Sequence, residues 1–301
     1  MIPLPRKLSH PLPQQCQSLR HFGLHRHAAQ AQAATMQDTL VAILPRCLEI
    51  IAKAAAFQLE HFRSMPAGAD DQKAAREMVS FVDVETEKIL LDGLLPLVDG
   101  AGFFGEESGK SGSQDLVWIV DPLDGTTNYL SGLDHFSISV ALVHHGQPIF
   151  GVVHKPVTKE TWSCIKGHGL HYNGKPYPKV SATLTAKDAL FVTGFPYRSQ
   201  DIAENFFACA DEVLITGRGI RRTGSAALDV SHLSCGWYQG YWESDLQPYD
   251  IAAGMLFMQE NGCIVSNPQG QDYDMFNDRI MVAALPMVHP TLKQIIAKHY
   301  A

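Results

Sequence analysis

The sequence predicts a layered α/β protein, and three observations carry that expectation. The first half opens with two segments of helical period and then turns to a series of short apolar strands. The second half, from residue 189 onward, alternates strand and helix. With 301 residues, 46% of them hydrophobic, the chain has apolar side chains enough for one large or two modest cores.

Residues 1–35 stand apart from the rest. They hold Pro3, Pro5, Pro11 and Pro13, four Lys/Arg and no acid, and are expected to form a disordered basic tail. A start at Met36 would explain the segment as well. Targeting fits less well, because His and Arg interrupt Leu19 to Ala29. From Asp38 the pattern is helical: Leu40, Leu44, Cys47, Leu48, Ile51, Ala55, Leu59 and Phe62 recur near i, i+3 and i+4, with Pro45 kinking or shortening the start. After a loop at 66–71, Asp83 is expected to open a second helix, Val84 to Leu95, which Pro96 stops. Strands are expected at 101–104, 116–120, 136–144, 148–154 and 161–165, and Asn173-Gly174 reads as a hairpin turn. Beyond residue 180 the expected order is strand 189–193, helix 200–214, helix Gly224 to Cys235 and strand Tyr238 to Glu243. A helix from Pro248 to Asn261 then closes on Gly262, followed by strand Val282 to Leu285 and helix Leu292 to His299. The expected organisation is thus a tail (1–35), an α+β part (36–180) and an α/β part (181–301).

A net charge of −7 and a pI of about 6.0 argue against a broad nucleic-acid surface. No apolar run approaches the ~20 residues of a membrane helix. Cys16, Cys47, Cys164, Cys209, Cys235 and Cys263 are scattered singly, without zinc spacing, as suits reduced core residues of a cytoplasmic protein.

The chemistry concentrates in Trp118-Ile-Val-Asp-Pro-Leu-Asp-Gly-Thr-Thr-Asn-Tyr129. An apolar strand ends on Asp121 and Asp124, and Gly125, Thr126 and Thr127 follow at once, at the start of a helix. Carboxylates on a strand end bind hard cations such as Mg²⁺, and free N–H groups at a helix start bind phosphate oxygens. A metal-assisted phosphate site is the joint reading. A capped turn would explain any one of these residues. It does not explain the Gly105-Glu106-Glu107-Ser108 cluster upstream and Asp250 downstream. Gly109-Lys110-Ser111 is not a P-loop, because the first glycine position is Phe104.

Asp83, Gly-Glu-Glu-Ser at 105–108, the 118–129 segment, Gly224-Ser225-Ala226-Ala227 and Tyr249-Asp250-Ile-Ala-Ala-Gly254 occur in the order and spacing of one family. From about Met36 to the C-terminus the chain resembles the inositol monophosphatase family of Mg²⁺-dependent, lithium-sensitive phosphatases, with Tyr249 where Trp is more usual. The resemblance implies the layered fold of sugar phosphatases and a homodimer. It implies that Glu106, Asp121 and the Leu123 carbonyl hold one Mg²⁺, and that Asp121, Asp124 and Asp250 hold a second. Asp83 and Thr126 would orient and deprotonate the attacking water, while Gly125 and Thr126 N–H groups receive the phosphate. Glu243 and Ala226 would line the sugar-alcohol pocket, with Arg221 near the dimer interface, Lys73 near the site and Glu107 behind the ligands.

The function so implied is hydrolysis of myo-inositol monophosphate, a small phosphorylated polyol, to inositol and phosphate. Fructose 1,6-bisphosphate or a 3′-phosphorylated nucleotide are alternative substrates for the same chemistry. Gly224-Ser225-Ala226-Ala227-Leu228-Asp229 and Glu243 favour the inositol branch over the nucleotidase branch, whereas the fructose bisphosphatase branch shares more of this pattern. A partner-binding regulator with an incidental phosphatase site is the alternative of another class.

Overall fold

The computed structural model describes residues 15–64 and 72–300, with side chains described for 36–64 and 79–300. The contacts of the chain separate Met1–Ala42 from Ile43–Ala301. The first unit is helical from Gln15 on; residues 1–14 of the expected tail, and the loop at 65–71, lie outside the described residues. The second unit holds both sheets and the candidate site.

Helix α1 (Gln15–His61) starts well before Asp38 and runs through Pro45. Its buried residues Cys47, Ile50, Ile51, Ala54, Ala55 and Gln58 share one face at helical spacing. Helix α2 (Gln72–Leu94) corrects the expected start at Asp83. The buried series Val79, Val82, Thr86, Leu90, Leu94 begins before Asp83, so this acid belongs to the inward face of a running helix rather than to its cap.

The first sheet has eight strands: β1 (Gly102–Gly105), β2 (Gly109–Ser111), β3 (Leu116–Asp124), β4 (Ser137–His144), β5 (Gln147–Lys155), β6 (Glu160–Ile165), β7 (Gly169–Tyr172) and β8 (Lys175–Pro176). Their order is β2-β1-β3-β4-β5-β6-β7-β8, and only β1 with β3 is parallel. The turn at Asn173-Gly174 has φ of 50° and 74° at its two positions, as a primed hairpin turn requires. Strand β3 does not stop at Val120. It continues to Asp124 through an irregularity in which Asp121 pairs with Ser139 and Asp124 with Ser137. The extra residue falls at Pro122, which lacks the N–H for a ladder bond and is accommodated by a bulge. The short helix α3 (Thr126–Leu130) follows from Gly125, whose φ is 97°.

The second sheet takes β9 (Leu190–Thr193), β10 (Gly219–Arg221), β11 (Gly240–Ser244), β12 (Ile264–Ser266) and β13 (Ile280–Ala284) in the order β10-β9-β11-β13-β12. The remaining helices are α4 (Ala203–Thr216), α5 (Ala226–Ser234), α6 (Pro248–Asn261) and α7 (His289–His299). Helices α5 and α6 touch both sheets: α6 packs on β3–β7 and on β12, and α5 packs on β4, β5 and β11. Helices α4 and α7 pair with each other, α7 against β11 and β13 and α4 against β10. This is the mixed α/β layering expected from the alternation of elements.

Small residues let α6 sit this close. A Cβ on Gly254 would fall 2.0 Å from Val230 on α5, and one on Gly151 would fall 3.0 Å from the Ala253 backbone. The Ile-Ala-Ala-Gly run after Asp250 is therefore a packing surface, and it fixes where the helix start, and Asp250 with it, must lie.

Candidate active site

Strand β3 delivers two carboxylates at its bulge. Asp121 Oδ1 accepts the Leu123 N–H at 3.0 Å. The Pro122 carbonyl accepts from Gln58 Nε2 at 2.6 Å, and the Gln58 carbonyl accepts from Tyr129 Oη at 2.7 Å, so α1 and α3 brace the bulge from both sides. Asp124 crosses to the start of α5. It accepts the N–H groups of Ala226 (3.2 Å) and Ala227 (2.9 Å) and the hydroxyl of Ser225. A carboxylate on the first N–H groups of a helix is stabilised by their partial positive charge.

Glu106 lies in the turn after β1. Its backbone N–H donates to Val120 O at 3.3 Å. The turn itself is held by Glu87, whose carboxylate accepts the N–H groups of Glu107 (2.9 Å) and Ser108 (2.8 Å). Gly105 leaves room for this carboxylate, since a Cβ there would fall 2.2 Å from Glu87 Oε2. Glu87 stands one helical turn beyond Asp83 on the same buried face of α2.

These elements bring Asp83, Glu106, Asp121, Asp124 and Asp250 into one electrostatic cluster. Burial first, and then repulsion from Glu106, Glu107 and Glu87, pushes Asp83 up to about 8. Asp250 is raised to about 8, chiefly by burial, with Asp124 adding repulsion. Asp121 is raised well above the usual carboxylate range by burial and by Glu106, Asp124, Asp250 and Asp83. Burial likewise raises Glu106, against a hydrogen bond with Asp121, and raises Asp124 against its bonds from Ser225, Ala227 and Ala226. Asp83 Oδ1 is buried without a hydrogen-bond partner. Buried carboxylates that repel one another are costly without a compensating cation, and all-oxygen donors as a class suit Mg²⁺. Among the described residues, no three of these side chains already converge as ligands on a common point.

Beside the cluster lies a cavity of about 180 Å³, whose wall includes Asp124, Gly194, Ala226, Glu243 and Asp250. Glu243 accepts from Tyr241 Oη at 2.7 Å, and burial pushes its carboxyl up to about 7. Gly194 makes room for it, since a Cβ there would fall 1.9 Å from Glu243 Oε1.

The acids expected from the sequence therefore meet, and Ala226 and Glu243 line the adjoining wall. Thr126 Oγ1 donates to the Leu123 carbonyl at 3.1 Å. Glu107 lies on the Glu87 side of the turn, and burial and Glu87 raise its pKa. The Arg221 guanidinium is exposed and donates to the carbonyl of Ile220 at 3.0 Å. The Lys73 side chain lies outside the described residues. Glu87 and Gln58, and Arg198 and Arg222, which also line the cavity, were not among the expected site residues. For Glu87 a signal existed, its i+4 spacing from Asp83. For the two arginines and Gln58 there was none.

Comparison with known proteins agrees with this fold. The family model described as the inositol monophosphatase family matches residues 33–300. The chain is 31% identical over 248 residues to the Nus factor SuhB of Xylella fastidiosa, covering 80% of this chain and 90% of that protein. It is 32% identical over 224 residues to an inositol-1-monophosphatase of Caulobacter vibrioides, covering 73% of this chain and 88% of that protein. The structure of an inositol monophosphatase from Anabaena superimposes with a TM-score of 0.76 at 30% identity, covering 86% of this chain and 96% of the other. Fold, acidic cluster and sequence match lead to one assignment: the chain belongs to the inositol monophosphatase family.

Proposed function

We propose that the protein is a Mg²⁺-dependent phosphomonoesterase that hydrolyses myo-inositol monophosphate to inositol and phosphate. The observation that carries this reading is the meeting of Asp83, Glu106, Asp121, Asp124 and Asp250 beside a small cavity that ends on Glu243. Glu106, Asp121 and the Leu123 carbonyl would hold one ion, and Asp121, Asp124 and Asp250 a second. Bound Mg²⁺ supplies neutralisation of the phosphate oxygens, a lower pKa for water and charge for the departing alkoxide.

The chain's own residues do the rest. The unpartnered Oδ1 of Asp83 is the acceptor for the proton of the attacking water, which Thr126 helps to orient. The N–H groups of Gly125 and Thr126, at the start of α3, receive the phosphate. Glu243, held by Tyr241, accepts hydrogen bonds from polyol hydroxyls, and Ala226 leaves space for the ring. On the same reading the enzyme is a lithium-sensitive homodimer of the cytoplasm. Phosphate release from inositol 1-phosphate, fructose 1,6-bisphosphate, adenosine 3′,5′-bisphosphate and glycerol 2-phosphate tests it. The highest kcat/KM is expected for inositol 1-phosphate against the other three; no release with Mg²⁺ present would refute the assignment.

One observation favours a second role. Relatives from Xylella fastidiosa and Neisseria meningitidis are named Nus factor SuhB or putative Nus factor SuhB. A regulatory function alongside the phosphatase would survive Asp121→Asn, which removes only the charge, and a cell-based comparison of this variant with a deletion separates the two.

A further inference from the structure

The peptide unit between Pro122 and Leu123 is held at both ends by side chains. It lies in the bulge of β3, where no residue of β1 or β4 is in register with Pro122 or Leu123. Its carbonyl accepts from Gln58 Nε2 at 2.6 Å, and its N–H donates to Asp121 Oδ1 at 3.0 Å. Buried backbone groups need partners, and here one side chain takes each end of a single peptide plane. Rotation of that plane would break both bonds together. Pro122 does not prevent it, because the ring fixes φ but leaves free the ψ that turns the following peptide.

Gln58 is fully buried on α1, and its Oε1 has no hydrogen-bond partner among the described residues. A side chain that only filled space would leave no such orphan. What Gln58 supplies is its NH₂ group, the one end of an amide that can face a carbonyl. Its backbone is pinned as well. The Gln58 carbonyl accepts from the Phe62 N–H at 2.9 Å and from Tyr129 Oη at 2.7 Å. The buried Tyr129 ring packs on Phe62 and Phe136 at centroid distances of 5.3 and 5.0 Å. Helix α3, which carries Tyr129, thereby holds α1 where Gln58 reaches the bulge.

We propose that Gln58 is a positioning residue for Asp121: by holding the Pro122 carbonyl it locks the 122–123 peptide and keeps the Leu123 N–H on Asp121 Oδ1. The N–H commits one oxygen of a buried carboxylate and so sets the rotation of the acid at the centre of the cluster. Without the lock, Asp121 loses both a donor and that constraint. The consequence for metal binding rests on the metal-dependent phosphomonoesterase reading. The lock itself is a property of the metal-free chain.

Amide hydrogen exchange of Leu123, followed by NMR on the ¹⁵N-labelled metal-free protein, reads the lock directly. The wild-type amide should be protected although it lies outside the ladder, a measurement that needs no variant. Gln58→Met, which keeps the length but loses the donor, should speed its exchange about 10-fold, while Ile119 and Val140 in the paired part of the sheet stay protected. Tyr129→Phe, which loses only the bond to the Gln58 carbonyl, should act in the same direction by less. Mn²⁺ binding followed by EPR, in the absence of substrate, should weaken about 10- to 100-fold in Gln58→Met. With Mg²⁺ at saturation, kcat should largely recover and KM should hold. An unprotected Leu123 amide in the wild type would overturn the lock. So would exchange in Gln58→Met that is unchanged at Leu123, or that rises equally at Leu123, Ile119 and Val140. Faster exchange at Leu123 alone with unchanged Mn²⁺ affinity would overturn the role of Gln58 toward the metal site. A wild type that releases no phosphate with Mg²⁺ present would refute the phosphatase reading and leave the exchange result standing.

Discussion

Glu87→Gln reaches the metal site without touching any proposed ligand. Glu87 is only 3% exposed, and its two oxygens take the N–H groups of Glu107 at 2.9 Å and Ser108 at 2.8 Å. Glutamine keeps the shape but places an NH₂ against one of these donors. One charge-assisted hydrogen bond is lost, worth about 1.5–3 kcal/mol. The turn that carries Glu106 is then free to move, and groups that orient metal ligands typically change metal affinity by about 10–100-fold. Urea unfolding should therefore show a stability loss of about 1.5–3 kcal/mol. Mg²⁺ titration of activity should show half-saturation about 10- to 100-fold higher, with kcat largely recovered at saturating Mg²⁺. Asp92→Asn, an exposed site on the same helix, serves as the control and should change neither quantity. A Glu87→Gln protein with lowered stability but unchanged Mg²⁺ half-saturation would refute the link from α2 through the turn to Glu106.

Three further outcomes are expected. Asp83→Asn and Thr126→Ala should lower kcat by about 10²–10⁴-fold with little change in KM, because both are proposed to act on the attacking water; a raised KM at constant kcat would reassign them to binding. Gly194→Ala, whose Cβ would fall 1.9 Å from Glu243 Oε1, should behave like Glu243→Gln, impairing inositol 1-phosphate more than glycerol 2-phosphate; equal losses on both esters would remove the polyol role of Glu243. The metal-free protein should lose stability as pH rises from 6.5 to 8.5. Asp83 and Asp250 titrate at about 8 when folded, so in this window the folded state holds protons that the unfolded chain, at ordinary carboxylate values, has released. Added Mg²⁺ should remove most of that slope, and a stability flat across the window without metal would show that the carboxylates are not packed as described.

The parts of the site that were legible in the sequence are those written in contiguous residues. Asp121, Asp124, Gly125 and Thr126 announce a strand running into a helix start, and Asp250 follows a proline suited to the first turn of a helix. Asp83 is legible as an acid but not as part of α2, because an acid just ahead of a helical stretch reads as a cap, and the helix reaches back through the buried Val79 and Val82. Strand β3 reads as ending at Val120, since only the bulge opposite Ser137 and Ser139 lets Pro122 stay within a sheet. Gln58 and Glu87 act through bonds to backbone groups 64 and 20 residues away. No local pattern encodes such a contact. The edge strands β2, β8, β10 and β12 are two or three residues long, too short for a period to show.

The central claim is that Asp121 joins the two halves of a metal site on which hydrolysis depends. The most direct test is the rate of phosphate release from inositol 1-phosphate by wild type and Asp121→Asn, each with Mg²⁺ and with EDTA. The wild type should be active only with Mg²⁺, and Asp121→Asn, which loses the most centrally placed charge of the cluster, should be inactive in both. Hydrolysis by Asp121→Asn at the wild-type rate, or by the wild type in EDTA, would contradict the account.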